Sequence, residues 1–303
     1  MKYELKAYAL QDIGQRKNQE DSFYPPFIQP CHFGKTDRAE SFYDSVPHTD
    51  DRLFLLCDGM GGHERGEVAS RLVCEAMAKS LHNAEAQGLS FDKCVIKNAV
   101  MDALDVLDEN DDDSEERKMG TTMTLLRFHE QGVTIAHIGD SRVYHFRPSD
   151  GGMSARCLFH TEDHSLANDM LKSGRLTFQQ LPNFKGRHVL TRCMMAGIEE
   201  VPKADIYTTK DVMPGDVFLM CSDGLLEELY DEDLCRMLTN PEFNDEQKVQ
   251  VLLAFCEANL DNHTAWIVRV EDVLLEPGID TEKGTSGMHF GGRLTNWLKG
   301  LFS

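Results

Sequence analysis

Apolar and polar positions at the start of the chain fall into short strand-like runs before any helical pattern begins. Apolar residues alternate with polar ones early in residues 1–22, which predicts a strand followed by a polar turn. Residues 25–52 contain four of the ten prolines together with mixed charges, so an irregular excursion is expected there. A continuous apolar run at 53–57 ends in the glycine-rich turn 58–62, and this pattern predicts a buried strand.

Helical periodicity follows directly after this turn. Apolar side chains recur at three- and four-residue spacing over 66–81 and again over 91–107, so two amphipathic helices are predicted. Three β-type runs then lie close together at 122–128, 133–138 and 141–146. Because only short links separate these runs, consecutive strands are expected to pair in an antiparallel manner.

The second half of the chain mixes short helices and strands without a regular βαβ alternation. The predicted elements are helices at 165–173, 231–238 and 245–260 and strands at 205–208, 217–221 and 264–270. Antiparallel sheet covered by helices is therefore favoured over a parallel α/β fold. Residues 276–303 are expected to form a linker and a short amphipathic segment, which either docks on the preceding domain or recruits a partner or a membrane surface.

Composition and charge narrow the class of protein. The 303 residues are 41% hydrophobic, and 51 Asp and Glu against 31 Lys and Arg give a net charge of −20, which disfavours nucleic acid as a partner. No apolar stretch approaches the ~20 residues of a membrane span, and the first residues lack the apolar core of a secretory signal. A cytoplasmic location is therefore expected. The nine cysteines form no C-x-x-C pair, which favours reduced structural thiols.

Acidic side chains stand repeatedly where an apolar run enters a turn. Any one Asp-Gly pair is most often only a turn. Gathered at one edge of the sheets, however, such residues would offer the oxygen ligands that Mg²⁺ or Mn²⁺ prefers, with enough charge for two ions about 3.5–4 Å apart. The residues in these positions are Asp58, Asp140, Asp223 and Asp261, together with the pair Glu20 and Asp21 beyond the first strand.

These acidic residues belong to a series of nine short motifs that points to one family of proteins. They are RKNQED at 16–21, CDGMGGH at 57–63, GEVAS at 66–70, MGTT at 119–122, IGDSR at 138–142, DHS at 163–165, HVLTR at 188–192, CSDG at 221–224 and DN at 261–262. In sequence and order they resemble the metal-dependent protein phosphatase family, the PPM or type 2C Ser/Thr phosphatases, in its bacterial form.

The resemblance implies a fold and a division of the chain. The fold is α+β, a four-layer α/β/β/α sandwich of two antiparallel sheets flanked by helices. Residues 1–275 correspond to the catalytic domain. Within it, 25–52 would be an irregular insertion and 163–190 a flap beside the active site, leaving 276–303 outside the domain.

The same resemblance implies the ligands of a first metal ion. Asp58 corresponds to the carboxylate that bridges two ions, and the carbonyl of Gly59 corresponds to a neighbouring ligand. Asp223 and Asp261 correspond to the remaining ligands of the first ion.

Further roles follow for the other candidate residues. Glu20 and Asp21 correspond to the acidic pair that serves the second ion directly or through water. Asp140, together with Asp223, corresponds to the site of a third, weaker ion. Arg16 corresponds to the phosphate-binding arginine, a role that suits its planar and permanently charged guanidinium group.

The activity implied is hydrolysis of phosphoserine and phosphothreonine in proteins by a water activated between two Mn²⁺ or Mg²⁺ ions. The expected partners are phosphoprotein substrates and a cognate Ser/Thr kinase or its substrates, and a monomer is favoured. The proton donor to the leaving group stays open between His63 and a metal-bound water, since Met60 has no proton to give.

Other classes of protein fit the sequence less well. A non-catalytic phosphoprotein-binding relative would be expected to have lost metal ligands, and here the set is complete. A thiol phosphatase is excluded because no cysteine begins a Cys-x5-Arg loop. The acidic run 105–116 lacks the Gly and Glu positions of an EF-hand, which argues against a Ca²⁺ buffer.

Overall fold

Two antiparallel sheets form the centre of the molecule, in a computed structural model that describes residues 1–26, 42–46, 52–60, 65–111, 118–148 and 155–274. The first sheet has the order β3 (Phe42–Val46), β1 (Lys2–Asp12), β13 (His263–Leu274), β12 (Val217–Cys221), β8 (Arg142–Arg147) and β9 (Arg156–His160). The second has the order β10 (Met194–Met195), β5 (Gly120–Thr121), β4 (Leu53–Met60), β6 (Met123–His129), β7 (Gly132–Ile138) and β11 (Asp205–Thr209), with β2 (Asp21–Tyr24) paired to β4.

Helices cover the outer face of each sheet. The long helices α1 (Arg65–Ala86) and α2 (Lys93–Asn110) share a buried apolar cluster with the second sheet. The shorter helices α4 (Asp231–Leu238) and α5 (Asp245–Cys256) share one with the first sheet. Helix α3 (Leu166–Lys172) lies in the segment that was expected to form the flap. The architecture is therefore the expected α/β/β/α sandwich.

The continuous apolar run of β4 is explained by burial on both of its faces. Leu55 and Cys57 face the cluster that contains α1 and α2, whereas Phe54 and Leu56 face the cluster between the sheets. There the Phe54 ring lies edge-on to Trp266 of β13, with 5.2 Å between ring centroids. A strand covered on both sides needs no polar alternation.

Most predicted elements are confirmed, and the differences concern pairing and short strands. Strands 133–138 and 141–146 do not pair with each other: β7 belongs to the second sheet and β8 to the first, so the pairing expected from their short link is wrong. Residues 42–46, inside the stretch expected to be irregular, form strand β3 against β1. The short strands β2, β5, β9 and β10 were not predicted, and α5 ends at Cys256 rather than residue 260.

Some sequence-based expectations fall outside these elements. The linker and amphipathic stripe proposed for 276–303 lie outside the described residues. Within the described ranges, no helix combines the length and apolar character needed to cross a membrane.

Candidate metal centre

The turn after β1 and the end of β4 form one wall of the site. Strand β2 pairs antiparallel with β4, and the register sets Asp21 directly opposite Asp58. The backbone N–H of Gly59 donates to the carbonyl oxygen of Glu20 at 3.0 Å. Because directly opposed residues of a sheet have Cβ atoms about 4.5–5.5 Å apart, the carboxylates of Asp21 and Asp58 share one space.

Close backbone packing at this wall requires glycine at two positions. A Cβ atom on Gly59 would lie 2.2 Å from the carbonyl oxygen of Gly66 and 2.6 Å from that of Glu20. A Cβ atom on Gly66 would lie 3.0 Å from the carboxyl carbon of Glu20. The first turn of α1 is thus held against the end of β4, with the Glu20 side chain beside it.

The end of β12 and the start of β13 form the opposite wall. The Ser222 hydroxyl donates to Oδ2 of Asp21 at 2.8 Å, which ties the two walls together. Asp223 begins a short 3₁₀ helix that follows β12. A Cβ atom on Gly224 would lie 2.0 Å from the carbonyl oxygen of Asn262, so the backbone leading into β13 packs directly on this turn.

The buried amide of Asn262 joins the residue before β13 to the turn between β1 and β2. Its Oδ1 accepts the backbone N–H of Glu20 at 2.8 Å. Its Nδ2 donates to the carbonyl oxygens of Ile13 and Asn18 at 2.9 and 3.0 Å. Sequence reasoning noted Asn262 only as a letter of the last motif, although an Asn directly after a candidate ligand was the available signal.

Glu227 is a second residue that sequence reasoning did not assign to the site. Its carboxylate accepts the backbone N–H groups of Leu260 and Asp261 at 2.8 and 3.1 Å. These bonds fix the loop that carries the Asp261 carboxylate. No pattern in the sequence links residues 227 and 261, so only the fold reveals this pair.

Two threonines and a serine hold the backbone around Asp58. The Thr121 hydroxyl donates to the Asp58 carbonyl at 2.8 Å, and the Asp58 N–H donates to the Thr122 hydroxyl at 2.9 Å. The Thr122 hydroxyl also lies 2.9 Å from that of Ser141, the residue after Asp140. The turn carrying Asp140 is thereby attached to the same wall as Asp58.

Arg16 lies at the open side of the cluster. Its guanidinium Nη2 is 2.5 Å from Oδ2 of Asp261, and 53% of the Arg16 side chain is exposed. Burial alone would lower the pKa of Arg16, but the charge of Asp261 raises it above its ordinary value. The group therefore pairs with a candidate metal ligand while remaining accessible from solvent.

The carboxylates raise one another's pKa values. Burial is the largest cause of the raised pKa of Asp58, which lies well above the ordinary range, and the charges of Asp21, Asp223, Asp140 and Asp261 raise it further. Burial also raises the pKa of Asp21 to about 7 and that of Asp140 to about 8, with Asp223 adding to both. Ionising all of them together requires a compensating positive charge.

One oxygen of this cluster has no partner within the described part of the protein. Oδ1 of Asp21 is buried and makes no hydrogen bond, whereas Oδ2 of the same group accepts from Ser222. An orphaned buried carboxylate oxygen is costly unless a cation or a donor meets it. The donor set consists of oxygens, which fits a hard divalent ion such as Mn²⁺ or Mg²⁺.

The base of the expected flap is anchored next to this centre. The Arg142 guanidinium binds both carboxylate oxygens of Asp163, at 2.6 and 2.8 Å. An isolated bridge between Ser165 and Leu190 closes the segment at its base, whereas the Phe178 side chain is 79% exposed. The other candidate near the centre, His63, lies outside the described residues, and Met60 ends β4.

Comparison with known proteins identifies relatives of similar sequence. A family model described as Protein phosphatase 2C matches residues 41–261. The Ser/Thr protein phosphatase PstP of Mycobacterium tuberculosis is 32% identical over 229 residues, which are 76% of this chain and 42% of that protein. The Ser/Thr phosphatase stp of Listeria innocua is 29% identical over 75% of this chain and 87% of its own length. The chain thus spans less than half of PstP but most of the Listeria protein.

A solved structure agrees in fold. The catalytic domain of PstP in complex with two manganese ions matches with a TM-score of 0.62 at 28% identity, over 89% of this chain and all of that one. The structural match extends over more of the chain than the family model, which begins after Arg16, Glu20 and Asp21.

Proposed function

The chain belongs to the protein phosphatase 2C family, and from this premise we propose that it is a metal-dependent phosphatase of phosphoserine and phosphothreonine in proteins. One observation carries the proposal: carboxylates from separate segments of the chain converge and raise one another's pKa values around a buried oxygen without a partner. Such a cluster is stable in its ionised form only with cations bound.

The cofactor that fits this oxygen donor set is Mn²⁺ or Mg²⁺. We assign one ion to Asp58, Asp223, Asp261 and the Gly59 carbonyl, a second to Asp58, Glu20 and Asp21, and a third, weaker ion to Asp140 with Asp223. Bound ions would supply Lewis acidity toward phosphoryl oxygens and lower the pKa of a coordinated water.

Arg16 binds the phosphoryl group in this proposal. A cation held by Asp261 would offset the charge that pairs with Arg16, and the guanidinium group could then meet two phosphoryl oxygens. Its exposure at the open side of the cluster supports this role. The leaving-group oxygen receives its proton from His63 or from water, the two donors that the sequence leaves open.

Residues 1–275 act as one catalytic domain in this proposal. The pairing of β1 with β13 supports it, because the first and last described strands lie side by side in one sheet. We further propose that the chain acts as a monomer in the cytoplasm and opposes a Ser/Thr kinase.

Hydrolysis assays test the activity directly. Purified protein titrated with Mn²⁺ and Mg²⁺ should hydrolyse p-nitrophenyl phosphate and a phosphothreonine peptide, and EDTA should stop both reactions. Asp223→Ala should lose at least about 10³-fold in turnover, since it removes charge that the ions require. Asp233→Ala, at a partly exposed position of α4 outside the cluster, is the matched control and should retain activity.

The competing function is that of a phosphoprotein-binding pseudophosphatase. Full activity of the folded Asp223→Ala variant would contradict the assignment of the metal centre. Binding of the phosphothreonine peptide without turnover at any metal concentration would support the pseudophosphatase instead.

A further inference from the structure

His164, at the base of the expected flap segment, binds the backbone directly before Asp140. Nδ1 of its ring accepts the backbone N–H of Gly139 at 3.0 Å. The backbone N–H of His164 in turn donates to the carbonyl oxygen of Gly139 at 3.0 Å. One residue of the flap base therefore binds both backbone groups of the residue that precedes a candidate metal ligand.

The backbone after Asp140 is attached to the same base. The Arg142 guanidinium binds both carboxylate oxygens of Asp163, which directly precedes His164. Ser165, which directly follows His164, is the N-cap of α3. The turn that carries Asp140 is thus attached on both sides to consecutive residues that lead into a helix.

The hydrogen bond from Gly139 fixes the tautomer of His164. Because Nδ1 is the acceptor, the single proton of the neutral ring must reside on Nε2, which donates to Oδ2 of Asp205 at 3.1 Å. Burial lowers the pKa of His164 below its ordinary value, although the bond to Asp205 opposes this shift, so the ring is neutral near pH 7. Asp205 therefore keeps the accepting nitrogen directed at the turn that carries Asp140.

Two further neighbours hold the His164 ring in place. Nη1 of Arg192 donates to the carbonyl oxygen of Lys203 and to Oδ1 of Asp205, each at 2.8 Å. This nitrogen also lies 3.0 Å from Nε2 of His164, but both of its protons are used by the two oxygens. The His137 ring stacks on that of His164, with 4.3 Å between centroids and 11° between planes. The imidazole is therefore fixed in position and in orientation.

Asp140 needs this attachment because a neighbouring carboxylate repels it. Burial and then the charge of Asp223 raise the pKa of Asp140 to about 8. Without a cation between them, the repulsion favours movement of the ionised Asp140 away from Asp223. The hydrogen bonds between His164 and Gly139 resist that movement, since they hold the backbone from which the Asp140 side chain extends.

We propose that His164 is a positioning residue of the candidate metal centre, which holds Asp140 where it and Asp223 meet a third, weaker cation. The inference rests on the proposed function, since it concerns the ion assigned there to Asp140. Loss of the acceptor at Nδ1 should release the turn and weaken that ion alone, because Asp58 and Asp261 are held by other contacts.

Nitrogen-15 NMR of the histidine rings tests the contact in the wild-type protein in EDTA. The His164 ring should be neutral near pH 7, with its proton on Nε2 and with Nδ1 at the chemical shift of an acceptor. A proton on Nδ1 would overturn the proposal, because that nitrogen could not then accept the Gly139 N–H. This measurement does not depend on whether a variant folds.

Two variants divide the imidazole into its two halves. In His164→Asn the amide oxygen occupies the position of Nδ1, whereas in His164→Gln the amide reaches the position of Nε2 and offers no acceptor to Gly139. Equilibrium Mn²⁺ binding, measured from the electron paramagnetic resonance signal of the free ion, should show two tighter ions and one weaker ion in the wild-type protein. His164→Gln should weaken the third ion at least about tenfold, and His164→Asn should recover most of that loss.

The tighter ions and a control variant distinguish positioning from a general structural role. Affinity for the two tighter ions should be unchanged in both variants of His164. His160→Gln, at an exposed histidine of β9, should bind all ions as the wild-type protein does. Equal losses at all ions in both variants, an unchanged third ion in His164→Gln, or the absence of a third ion from the wild-type protein would overturn the proposal.

Turnover of p-nitrophenyl phosphate tests whether His164 acts through Asp140. Added to Asp140→Asn, His164→Gln should cause no further loss, because the two changes act on one ion. Losses that multiply would overturn the proposal. The NMR and Mn²⁺-binding results do not require turnover, so a wild-type protein that binds the ions without hydrolysing phosphate esters would contradict the proposed function alone.

Discussion

At the scale of single residues, the proposed metal centre depends on side chains that hold the candidate ligands as well as on the candidate ligands themselves. Asn262 makes three hydrogen bonds to backbone groups of residues 13–20, which are far from Asn262 in the chain. Glu227 similarly fixes the backbone of Asp261 through two N–H groups. Residues that orient ligands typically change metal affinity 10- to about 100-fold when replaced.

Replacement of Glu227 by alanine should therefore weaken metal binding without unfolding the protein. We expect the Mn²⁺ concentration for half-maximal activity to rise at least about tenfold, since the Asp261 loop loses both acceptors. Glu228→Ala, at the adjacent exposed position, is the control and should leave the Mn²⁺ requirement unchanged. Equal Mn²⁺ requirements in the two variants would show that Glu227 does not orient Asp261.

His129, which lies outside the proposed metal centre, should contribute to the pH dependence of stability. Burial and then the charge of Arg127 lower the pKa of His129 to about 4, below its ordinary value of 6.5. The unfolded chain therefore binds more protons than the folded protein between these values, and stability falls as pH decreases from about 6.5 to 4. Because His129 is only half-buried, it contributes at most about 1 kcal/mol to the loss of unfolding free energy between pH 7 and pH 5.

Urea unfolding of His129→Gln at pH 7 and pH 5 tests this contribution to the unfolding free energy. The variant should lose less stability than the wild-type protein on going to pH 5, with unfolding free energies compared at each pH. His160→Gln serves as the exposed-histidine control. A pH-dependent loss equal to that of the wild-type protein would contradict the expected role of His129.

At the scale of elements, the chain crosses from the second sheet to the first between β7 and β8 through a tight link. Gly139, with φ of +116°, follows β7, and a Cβ atom there would lie 2.6 Å from Cγ2 of Thr122. Only glycine fits this conformation and this space. The crossing delivers Asp140 to the metal centre and starts β8 in the first sheet.

Arg142, the first residue of β8, joins three elements at this crossing. Besides Asp163 at the flap base, its guanidinium contacts the Tyr144 hydroxyl at 3.0 Å and Asp231 at the start of α4 at 3.2 Å. Burial would lower the pKa of Arg142, but its bonds to Asp163 raise it above the ordinary value. A lysine retains the charge but cannot form the same bidentate and branched contacts.

We therefore expect Arg142→Lys to lower the free energy of unfolding by about 2 kcal/mol, measured by urea denaturation. The flap base should also become more accessible, which limited proteolysis can detect. Arg236→Lys changes an exposed arginine paired with Asp233 and should alter stability by less than about 0.5 kcal/mol. A loss in Arg142→Lys no larger than in this control would mean that the branched contacts do not stabilise the fold.

At the scale of the whole molecule, the carboxylates of the proposed metal centre add local repulsion to a chain whose net charge is already −20. The centre is assembled from the β1–β2 turn, the end of β4 and the segments that follow β7, β12 and α5. Positive ions at this point would stabilise the folded state over the unfolded state, because the unfolded chain does not gather these ligands.

Removal of metal should lower the melting temperature, and Asp21→Asn should reverse part of that effect. Ions at 100 times their dissociation constant stabilise the fold by about 2.7 kcal/mol, which corresponds to a rise of several degrees. In EDTA, Asp21→Asn should melt above the wild-type protein because one repelling charge is gone. On addition of saturating Mn²⁺, the melting temperature of Asp21→Asn should rise by less than that of the wild-type protein.

Scanning calorimetry in EDTA and in Mn²⁺ measures these differences. Asp233→Asn, which removes a carboxylate of α4 outside the centre, controls for the general change in net charge. A lower melting temperature of Asp21→Asn than of the wild-type protein in EDTA would contradict the repulsion argument.

Local sequence patterns are sufficient to locate most of the strands and helices and to identify the family motifs. The alternation in β1, the apolar run of β4 and the helical spacing of α1 and α2 are local patterns, so burial of one or both faces is readable from them. The motif order also brought Arg16 and the candidate acidic ligands to attention.

The neighbours of each strand and the contacts between distant side chains, in contrast, depend on long-range packing. The short link after β7 was compatible with a hairpin, yet β8 pairs with β12, because packing across both sheets outweighs proximity in the chain. The contacts of Asn262, Glu227 and Asp21 likewise join residues far apart in sequence. Local periodicity specifies which face of an element is buried, whereas the partner on that face is chosen by long-range packing.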